Sequence, residues 1–203
     1  MTEETNHQLA LIREVPTLVR DVGPLWLIGG WAVDFLTGRV RRPHDDIDWM
    51  ASAASRPAIL SKLQEEGFRI THDLGWHTRL TRDAAREYGE VEIDFVQELD
   101  GTPFLVVTND AGNFVRPGRY RLPDDMLDPA RIRELQGVRA LVTDPLSELA
   151  VRLNYSEFRV RPEPDPKYEL DTEALRYLLS PAEQEEAKKY FRREPLMGSE
   201  QKP

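Results

Sequence analysis

The chain has 203 residues, of which 40% are hydrophobic and 31% charged, a balance that suits one sizeable folded domain with or without a helical extension. It contains no cysteine, which excludes disulfide bonds, thiolate metal sites and thiol nucleophiles. A formal net charge of −9 argues against a nucleic-acid partner and favours cationic small molecules. The first residues are acidic and polar, and no apolar run approaches the ~20 residues that span a bilayer, so we expect a cytoplasmic protein without a membrane partner.

Helical and strand-like patterns alternate through the first half of the chain. Hydrophobic periodicity predicts, in chain order, a helix over 8–20, a strand over 25–28, a helix over 31–36, a strand over 47–50 and a helix over 57–67. Strands are then predicted over 68–71, 76–81, 90–97 and 104–108, with a turn at Asp100-Gly101 between the last two.

The second half of the chain is mainly helical in its pattern. A hairpin over 133–142 is predicted to turn near Gly137, and a helix over 145–155 has Asp144 as its N-cap. Pro162, Pro164 and Pro166 interrupt the chain before helices over 172–179 and 181–193 and a disordered tail from 197. We therefore predict an α+β fold with a small mixed β-sheet core and flanking helices over 1–125, and a C-terminal hairpin and helical region over 126–203 packed on that core.

Two glycines, Gly29 and Gly30, lie between the strand predicted over 25–28 and the helix predicted over 31–36. Glycines allow a backbone to approach a bulky anion, and the N–H groups at a helix start can point at phosphate oxygens. A plain tight turn explains the same pair when it is considered alone.

Acidic residues alternate with apolar ones on two predicted strands. Asp46 and Asp48 share one side of their strand while Ile47 faces the core, and Glu92 and Asp94 share one side of a later strand. Carboxylates that lie close together are unfavourable without a cation, and Mg²⁺ prefers oxygen ligands. Each pair of acids, considered alone, is also explained by a strand face exposed to solvent. Three acids on neighbouring strands, in contrast, predict a metal site that can hold two ions.

The combination of these elements resembles the nucleotidyltransferase superfamily related to DNA polymerase beta. The motif GGWAVD at 29–34, followed by RPHDDID at 42–48, is similar to the motifs of one branch of this superfamily. That branch contains the aminoglycoside and lincosamide nucleotidyltransferases, which are antibiotic-resistance enzymes. The resemblance is strong over 25–50, looser through Asp94, and faint from Asp144 to Leu179.

This resemblance implies a transferase that binds ATP and magnesium and moves a nucleoside monophosphate to a hydroxyl of a small acceptor. The expected group is AMP, taken from ATP. It implies that Asp46 and Asp48 hold Mg²⁺ on the triphosphate, while Asp94 binds a second ion, acts as the base, or does both. Glu92 is the alternative third acid; we prefer Asp94 because it precedes a bulky apolar residue, as the third acid of the family does.

Other parts of the resemblance concern the triphosphate. Backbone N–H groups of Gly29, Gly30 and Trp31 are expected to bind the β- and γ-phosphates. Arg42 matches the family pattern as a phosphate-binding cation. His44 is expected to bind a phosphate, to orient Asp46, or to pin its own loop. Lys167 resembles the C-terminal lysine of the family, with an exposed surface lysine as the alternative.

Asp34 is expected to form a salt bridge with an arginine of the following loop, which is a structural role.

The acceptor remains open between an aminoglycoside and a lincosamide, although the acidic balance suits a polycationic aminoglycoside. Several acids in and around the strand predicted over 90–97 are expected to line an acceptor groove: Glu87, Glu90, Glu92, Glu98 and Asp100. A nucleotidyltransferase toxin acting on tRNA and a non-catalytic nucleotide-binding regulator on the same fold are the alternatives, and a monomer or homodimer is expected.

Overall fold

The computed structural model describes residues 2–82, 89–109, 115–160 and 166–196. Pro162, Pro164, Glu87 and the tail predicted to be disordered from 197 lie outside these residues. The elements are, in chain order, α1 (Glu3–Val19), β1 (Trp26–Leu27), α2 (Gly29–Thr37), β2 (Asp46–Ser52), a 3₁₀ turn (Ala53–Ser55), α3 (Arg56–Glu65), β3 (Arg69–Asp73), β4 (His77–Thr81), β5 (Glu90–Leu99), β6 (Thr102–Val107), β7 (Gly118–Arg121), β8 (Ile132–Leu135), β9 (Val138–Val142), α4 (Pro145–Leu153), α5 (Tyr155–Phe158), α6 (Pro166–Leu178), α7 (Pro181–Ala187) and β10 (Arg193–Glu194).

The chain divides into two compact units. The first contains Met1–Phe95 and Leu127–Thr143, and the second contains Val96–Met126 and Asp144–Pro203. Strand β5 therefore belongs to the first unit up to Phe95 and to the second from Val96. The predicted functional division into 1–125 and 126–203 stays a prediction.

A mixed sheet forms the centre of the first unit. β1 is antiparallel to β2 and parallel to β9, which forms a hairpin with β8. On the other side β2 neighbours β5, and β5 is antiparallel to β4, which is paired in turn with β3. This order places β2 and the first half of β5 side by side, and these are the strands that carry the predicted acids.

The apolar side chains of the first unit pack beneath this sheet. Helix α1 contacts α3 and β9, and α2 contacts β2. Ile47, Trp49, Ile93 and Phe95 contribute to one continuous core, and each is at most 1% exposed. The acids that alternate with them on β2 and β5 are half-buried on the opposite face, as the period of two predicts.

The second unit combines the end of β5 with β6, β7 and β10 and with helices α4 to α7. Helix α4 packs against α6 and α7, and the buried Arg152 on α4 forms ion pairs with Glu148 (2.6 Å) and Asp171 (3.1 Å). Asp144 is the N-cap of α4, as predicted, and accepts hydrogen bonds from the backbone N–H groups of Leu146 and Ser147.

The α+β prediction is confirmed, and most predicted elements are present with ends shifted by a few residues. The largest shifts are in the last two helices. Helix α6 begins at Pro166 rather than at 172, because proline fits the first turn of a helix where its missing N–H is not needed, and α7 ends at Ala187 rather than at 193. The short elements β7, α5 and β10 were not predicted. Among the described residues, no helix combines the length and hydropathy that crossing a membrane requires.

Candidate active site

Three carboxylates converge on the polar face of the first unit. Asp46 and Asp48 on β2 and Glu92 on β5 each offer an oxygen, and these three oxygens lie within 4.8 Å of one another. The two aspartates share a face because they are two residues apart on one strand. Glu92 joins them because β5 lies beside β2.

This group fits a hard divalent cation. All three donors are carboxylate oxygens, the ligand type that Mg²⁺ prefers. Burial raises the pKa of Glu92, and the negative charges of Asp46 and Asp94 add to that effect against the opposing charges of His77 and Arg79. The three carboxylates within 4.8 Å of one another repel when ionised, and a bound cation would relieve that repulsion.

Strand β4 supplies basic partners to the acids of β5. The antiparallel register places Arg79 opposite Glu92 and His77 opposite Asp94. The Arg79 guanidinium lies 2.6 Å from Glu92 Oε1 and 3.6 Å from Glu90 Oε2. Glu90 and Glu92, predicted to line an acceptor groove, therefore share one arginine.

Asp94 has different surroundings from Glu92. Its Oδ1 is hydrogen-bonded to His77 Nδ1 at 2.8 Å, while His77 Nε2 lies 3.7 Å from Glu92 Oε2. Burial alone would lower the pKa of His77, but the hydrogen bond and the charges of Asp94 and Glu92 outweigh it, and the pKa is raised. No local pattern in the sequence identifies His77 as a site residue, because nothing in the sequence reveals the register of β4 against β5.

The structure therefore separates the two candidates for the third acid. Glu92 completes the three-carboxylate group, and Asp94, which the sequence analysis prefers, is outside that group in the part of the chain that the structure describes. The physical reason is that Asp94 is engaged by His77 on the neighbouring strand. The geometry favours Glu92 as the third metal ligand, and the role of Asp94 stays a prediction.

The glycine pair lies directly against this acidic group. Gly29 begins α2 with a φ of +72°, and a Cβ built on it would collide with the Asp48 carboxylate, whose Cγ lies only 3.2 Å away. The Ile28 N–H donates to the Asp48 carbonyl at 3.0 Å, which holds the start of α2 beside β2. Only glycine fits this position, because both its positive φ and its close contact exclude a side chain.

Gly30 has a second close contact on the other side. A Cβ there would meet Arg42 Nη2 and would lie 2.6 Å from His44 Nδ1. The helix start, the Arg42 guanidinium and the His44 ring are thus adjacent. Ile28, the N-cap residue of α2, provides no capping side chain. N–H groups and cations at a helix N-terminus are the features that bind a polyphosphate.

A buried network fixes this loop. Asp34 is fully buried on α2, and its carboxylate contacts Arg41 Nε (2.9 Å) and His44 Nε2 (2.7 Å). The predicted salt bridge between Asp34 and an arginine of the loop is therefore confirmed. Gln8 on α1 donates to the His44 carbonyl at 2.9 Å, and the buried Trp31 ring packs 4.5 Å from the His44 ring. The Trp31 side chain serves this packing, so only its backbone is a candidate for nucleotide binding.

Three further predicted residues, Lys167, Glu98 and Asp100, lie in the second unit. Lys167 is half-buried near the start of α6, and its role in nucleotide binding stays a prediction. Glu98 and Asp100 are exposed at the end of β5 and in the following turn. Glu87 lies outside the described residues.

Known proteins share parts of this sequence. A lincosamide resistance protein of Staphylococcus haemolyticus is 32% identical over 90 residues, which cover 44% of this chain and 55% of that protein. A 2''-aminoglycoside nucleotidyltransferase of Klebsiella pneumoniae is 42% identical over 53 residues, 26% of this chain and 30% of that protein. The matched segments thus span about half, or less, of the length of these curated relatives.

Solved structures share the fold over most of the chain. The solution structure of the antibiotic-resistance factor ANT(2'')-Ia has a TM-score of 0.69 and 19% identity, covering 91% of this chain and 90% of that one. Lincomycin-bound LnuA, a lincosamide antibiotic adenylyltransferase, has a TM-score of 0.59 and 22% identity, with 88% and 98% covered. At these identities the likeness establishes the fold alone.

The family comparison extends over the elements that form the site. The model of the aminoglycoside-2''-adenylyltransferase family matches residues 11–135, which contain α2, β2, β4 and β5 and make up more than half of the chain. The chain therefore belongs to the aminoglycoside-2''-adenylyltransferase family.

Proposed function

We propose that the chain transfers AMP from ATP to a hydroxyl group of an aminoglycoside antibiotic. The observation that carries this proposal is the group of Asp46, Asp48 and Glu92, whose oxygens lie within 4.8 Å of one another beside the glycine start of α2. A cation site next to a polyphosphate site is what nucleotidyl transfer needs. Membership of the family supports the same reaction.

The metal would be held by Asp46, Asp48 and Glu92. When bound there, Mg²⁺ supplies positive charge that neutralises the triphosphate and the pyrophosphate that leaves. The convergence of three carboxylate oxygens within 4.8 Å of one another supports this assignment, because such oxygens are the ligands that Mg²⁺ prefers.

Asp94 is the base in this proposal. It accepts the proton of the acceptor hydroxyl, whose oxygen then attacks the α-phosphorus of ATP. The new P–O bond forms as the bond from the α-phosphorus to the oxygen bridging to the β-phosphorus breaks, and pyrophosphate leaves with that oxygen. Asp94 is two residues from Glu92 on the same face of β5, so the base lies ~7 Å along the strand from this metal ligand.

The triphosphate tail would lie against the start of α2. Backbone N–H groups of Gly29, Gly30 and Trp31 and the side chains of Arg42 and His44 are proposed to bind its β- and γ-phosphates. Their adjacency at Gly30 supports this assignment. Lys167 is a further proposed phosphate ligand, on the resemblance of its segment alone.

A lincosamide is the second candidate acceptor. The lincosamide resistance protein of Staphylococcus haemolyticus is similar to a longer part of this chain than the aminoglycoside relative is. The net charge of −9 favours the polycationic aminoglycoside, because a cationic ligand is attracted to an acidic protein.

A mass-spectrometric screen tests the proposal. The purified chain is incubated with Mg²⁺, each of the four nucleoside triphosphates, and kanamycin, tobramycin or lincomycin. We expect one AMP unit to be added to kanamycin or tobramycin from ATP, and none with EDTA present. Transfer to tRNA in place of an antibiotic would support the toxin alternative, and nucleotide binding without any transfer would support a regulator.

A further inference from the structure

His77 on β4 contacts the acidic strand β5 at the candidate site. It lies directly opposite Asp94 in the β4–β5 register, and its Nδ1 is 2.8 Å from Asp94 Oδ1. Both side chains are largely buried, at 14% and 22% exposure. None of the sequence motifs that identify the site includes this histidine.

The His77 ring is held in place by its own surroundings. The Trp76 ring packs against it at 5.3 Å, and the Phe95 N–H donates to the Trp76 carbonyl at 2.8 Å, which locks the two strands together beside the pair. A cross-strand pair brings Cβ atoms within ~5 Å. A short side-chain hydrogen bond is therefore natural at this position and needs no rearrangement of the backbone.

The two basic residues of β4, Arg79 and His77, make their short contacts to different acids of β5. Arg79 contacts Glu92 at 2.6 Å, while His77 makes its hydrogen bond to Asp94 at 2.8 Å and its Nε2 lies 3.7 Å from Glu92 Oε2, beyond hydrogen-bond distance. An aspartate on a strand can adopt several side-chain rotamers, and a base must present one oxygen to the proton it takes. A hydrogen bond from Nδ1–H to Oδ1 restrains the carboxylate and leaves Oδ2 as the oxygen that can accept the proton.

We propose that His77 is a positioning residue that orients the Asp94 carboxylate for its role as the base. This inference rests on the proposed function. In the transfer step the proton of the acceptor hydroxyl goes to Asp94 Oδ2 while His77 keeps its hydrogen bond to Oδ1. His77 itself takes no proton from the substrate and binds neither metal nor nucleotide.

Steady-state kinetics of His77→Leu and His77→Asn test this proposal. Leucine removes the donor, whereas the asparagine amide can place an N–H near the position of Nδ1. We expect kcat to fall by ~10- to 100-fold in His77→Leu with KM for ATP changed by less than about threefold. His77→Asn should recover a large part of kcat. If His77→Leu does not fold, His77→Phe takes its place, because phenylalanine keeps an aromatic ring and also lacks the donor.

The matched control is His72→Leu. His72 is an exposed histidine on the adjacent strand β3, and its ring centroid is 6.4 Å from that of His77. This variant makes the same chemical change on the same hairpin without touching an acid of β5, so we expect its turnover to equal that of the unaltered enzyme.

A double-variant cycle shows whether His77 acts through Asp94. In an Asp94→Asn background the further change His77→Leu should lower the residual kcat by less than about threefold, because the carboxylate that it orients is gone. Mn²⁺ affinity, measured by electron paramagnetic resonance, should change by less than about twofold in His77→Leu, since Asp46, Asp48 and Glu92 remain.

The outcomes separate the inference from the function. Unchanged kcat in both His77 variants of an active enzyme would overturn the positioning role alone, and so would full additivity with Asp94→Asn. Loss of Mn²⁺ affinity in His77→Leu would also overturn it, because His77 would then act through Glu92. Absence of transfer by the unaltered enzyme would overturn the proposed function, and this inference with it.

Discussion

The choice between Glu92 and Asp94 as third metal ligand can be decided by one isosteric substitution. Glu92→Gln keeps the size and shape of the side chain and removes its charge. The variant leaves the strand pairing of β5 with β4 untouched, because that pairing uses backbone groups. Any change in metal affinity can therefore be assigned to the lost carboxylate.

The expected magnitude follows from Coulomb attraction. A carboxylate oxygen binds Mg²⁺ at about 2.1 Å, where the attraction between a unit charge and a divalent ion is ~4 kcal/mol even at the dielectric constant of water. The Arg79 guanidinium, 2.6 Å from Glu92 Oε1, competes for the same charge. Allowing about half for that competition leaves ~2 kcal/mol, or a roughly 30-fold increase in the metal Kd.

Electron paramagnetic resonance titration with Mn²⁺ measures this affinity without substrate or turnover. Glu90→Gln is the matched control, because Glu90 is on the same face of β5, also lies near Arg79 (3.6 Å), and is outside the three-carboxylate group. We expect its Kd to stay within about twofold of the unaltered value. Asp94→Asn should lower kcat strongly and change the Kd by a small factor.

A specific result would refute this reasoning. If Glu92→Gln binds Mn²⁺ normally while Asp94→Asn loses the ion, then the third ligand is Asp94, as the sequence pattern suggests, and the arrangement of β5 changes when the metal binds. Equal losses in both variants would mean that the site uses both acids.

Three further predictions concern other parts of the first unit. Asp48→Asn should abolish transfer while the thermal unfolding midpoint stays within a few degrees, and retained turnover with Mg²⁺ would contradict its role as metal ligand. Gly30→Ala should destabilise the fold by ~1–3 kcal/mol in urea unfolding and weaken ATP binding, because its Cβ would lie 2.6 Å from His44 Nδ1; an unchanged Kd for ATP would remove this loop from the phosphate site. The Arg82 hydrogen bond lowers the pKa of Glu14, so the pair should stabilise the fold above the unfolded pKa of Glu14 and lose that effect as pH falls through the folded value. Because both side chains are more than a third exposed, Glu14→Gln should cost only ~0.5 kcal/mol at pH 7 and progressively less as the pH falls through the folded pKa, and a cost that does not change with pH would refute the ionic origin.

Local patterns in the sequence were sufficient for much of the fold. The period of two on β2 correctly placed Ile47 in the core and Asp46 with Asp48 on the other face. Asp144 was recognised as an N-cap because its oxygen can accept from the first N–H groups of a helix. The turn at Gly137 was predicted because glycine tolerates the positive φ, which is +75° here. Each of these predictions depends on neighbours within a few residues.

The features that the sequence did not reveal depend on distant parts of the chain. Strand β10 pairs with β7 across more than 70 positions, Arg193 facing Tyr120. Two-residue strands such as β10 bury too little to leave a periodic pattern. The close contact of Gly29 with Asp48 likewise depends on how the start of α2 lies against β2.

The identity of the third acid also depends on a neighbouring strand and not on the local sequence. Strand β5 alone presents Glu90, Glu92 and Asp94 on one face at equal spacing, so its own sequence cannot distinguish them. The neighbouring strand makes the distinction, because Arg79 faces Glu92 and His77 faces Asp94. A register shifted by one residue would place Thr78 and Leu80 beside these acids instead.

That register cannot be predicted from the connection between the strands. Two-residue hairpin turns fix the pairing of their strands, whereas residues 82–89 separate β4 from β5 and permit more than one alignment. The buried partners of the two strands decide it, since Leu80 and Val91, both fully buried, face each other only in the observed alignment. The packing of the core therefore selects which basic residue meets which acid, and with that pairing Glu92 lies in the three-carboxylate group while Asp94 is hydrogen-bonded to His77.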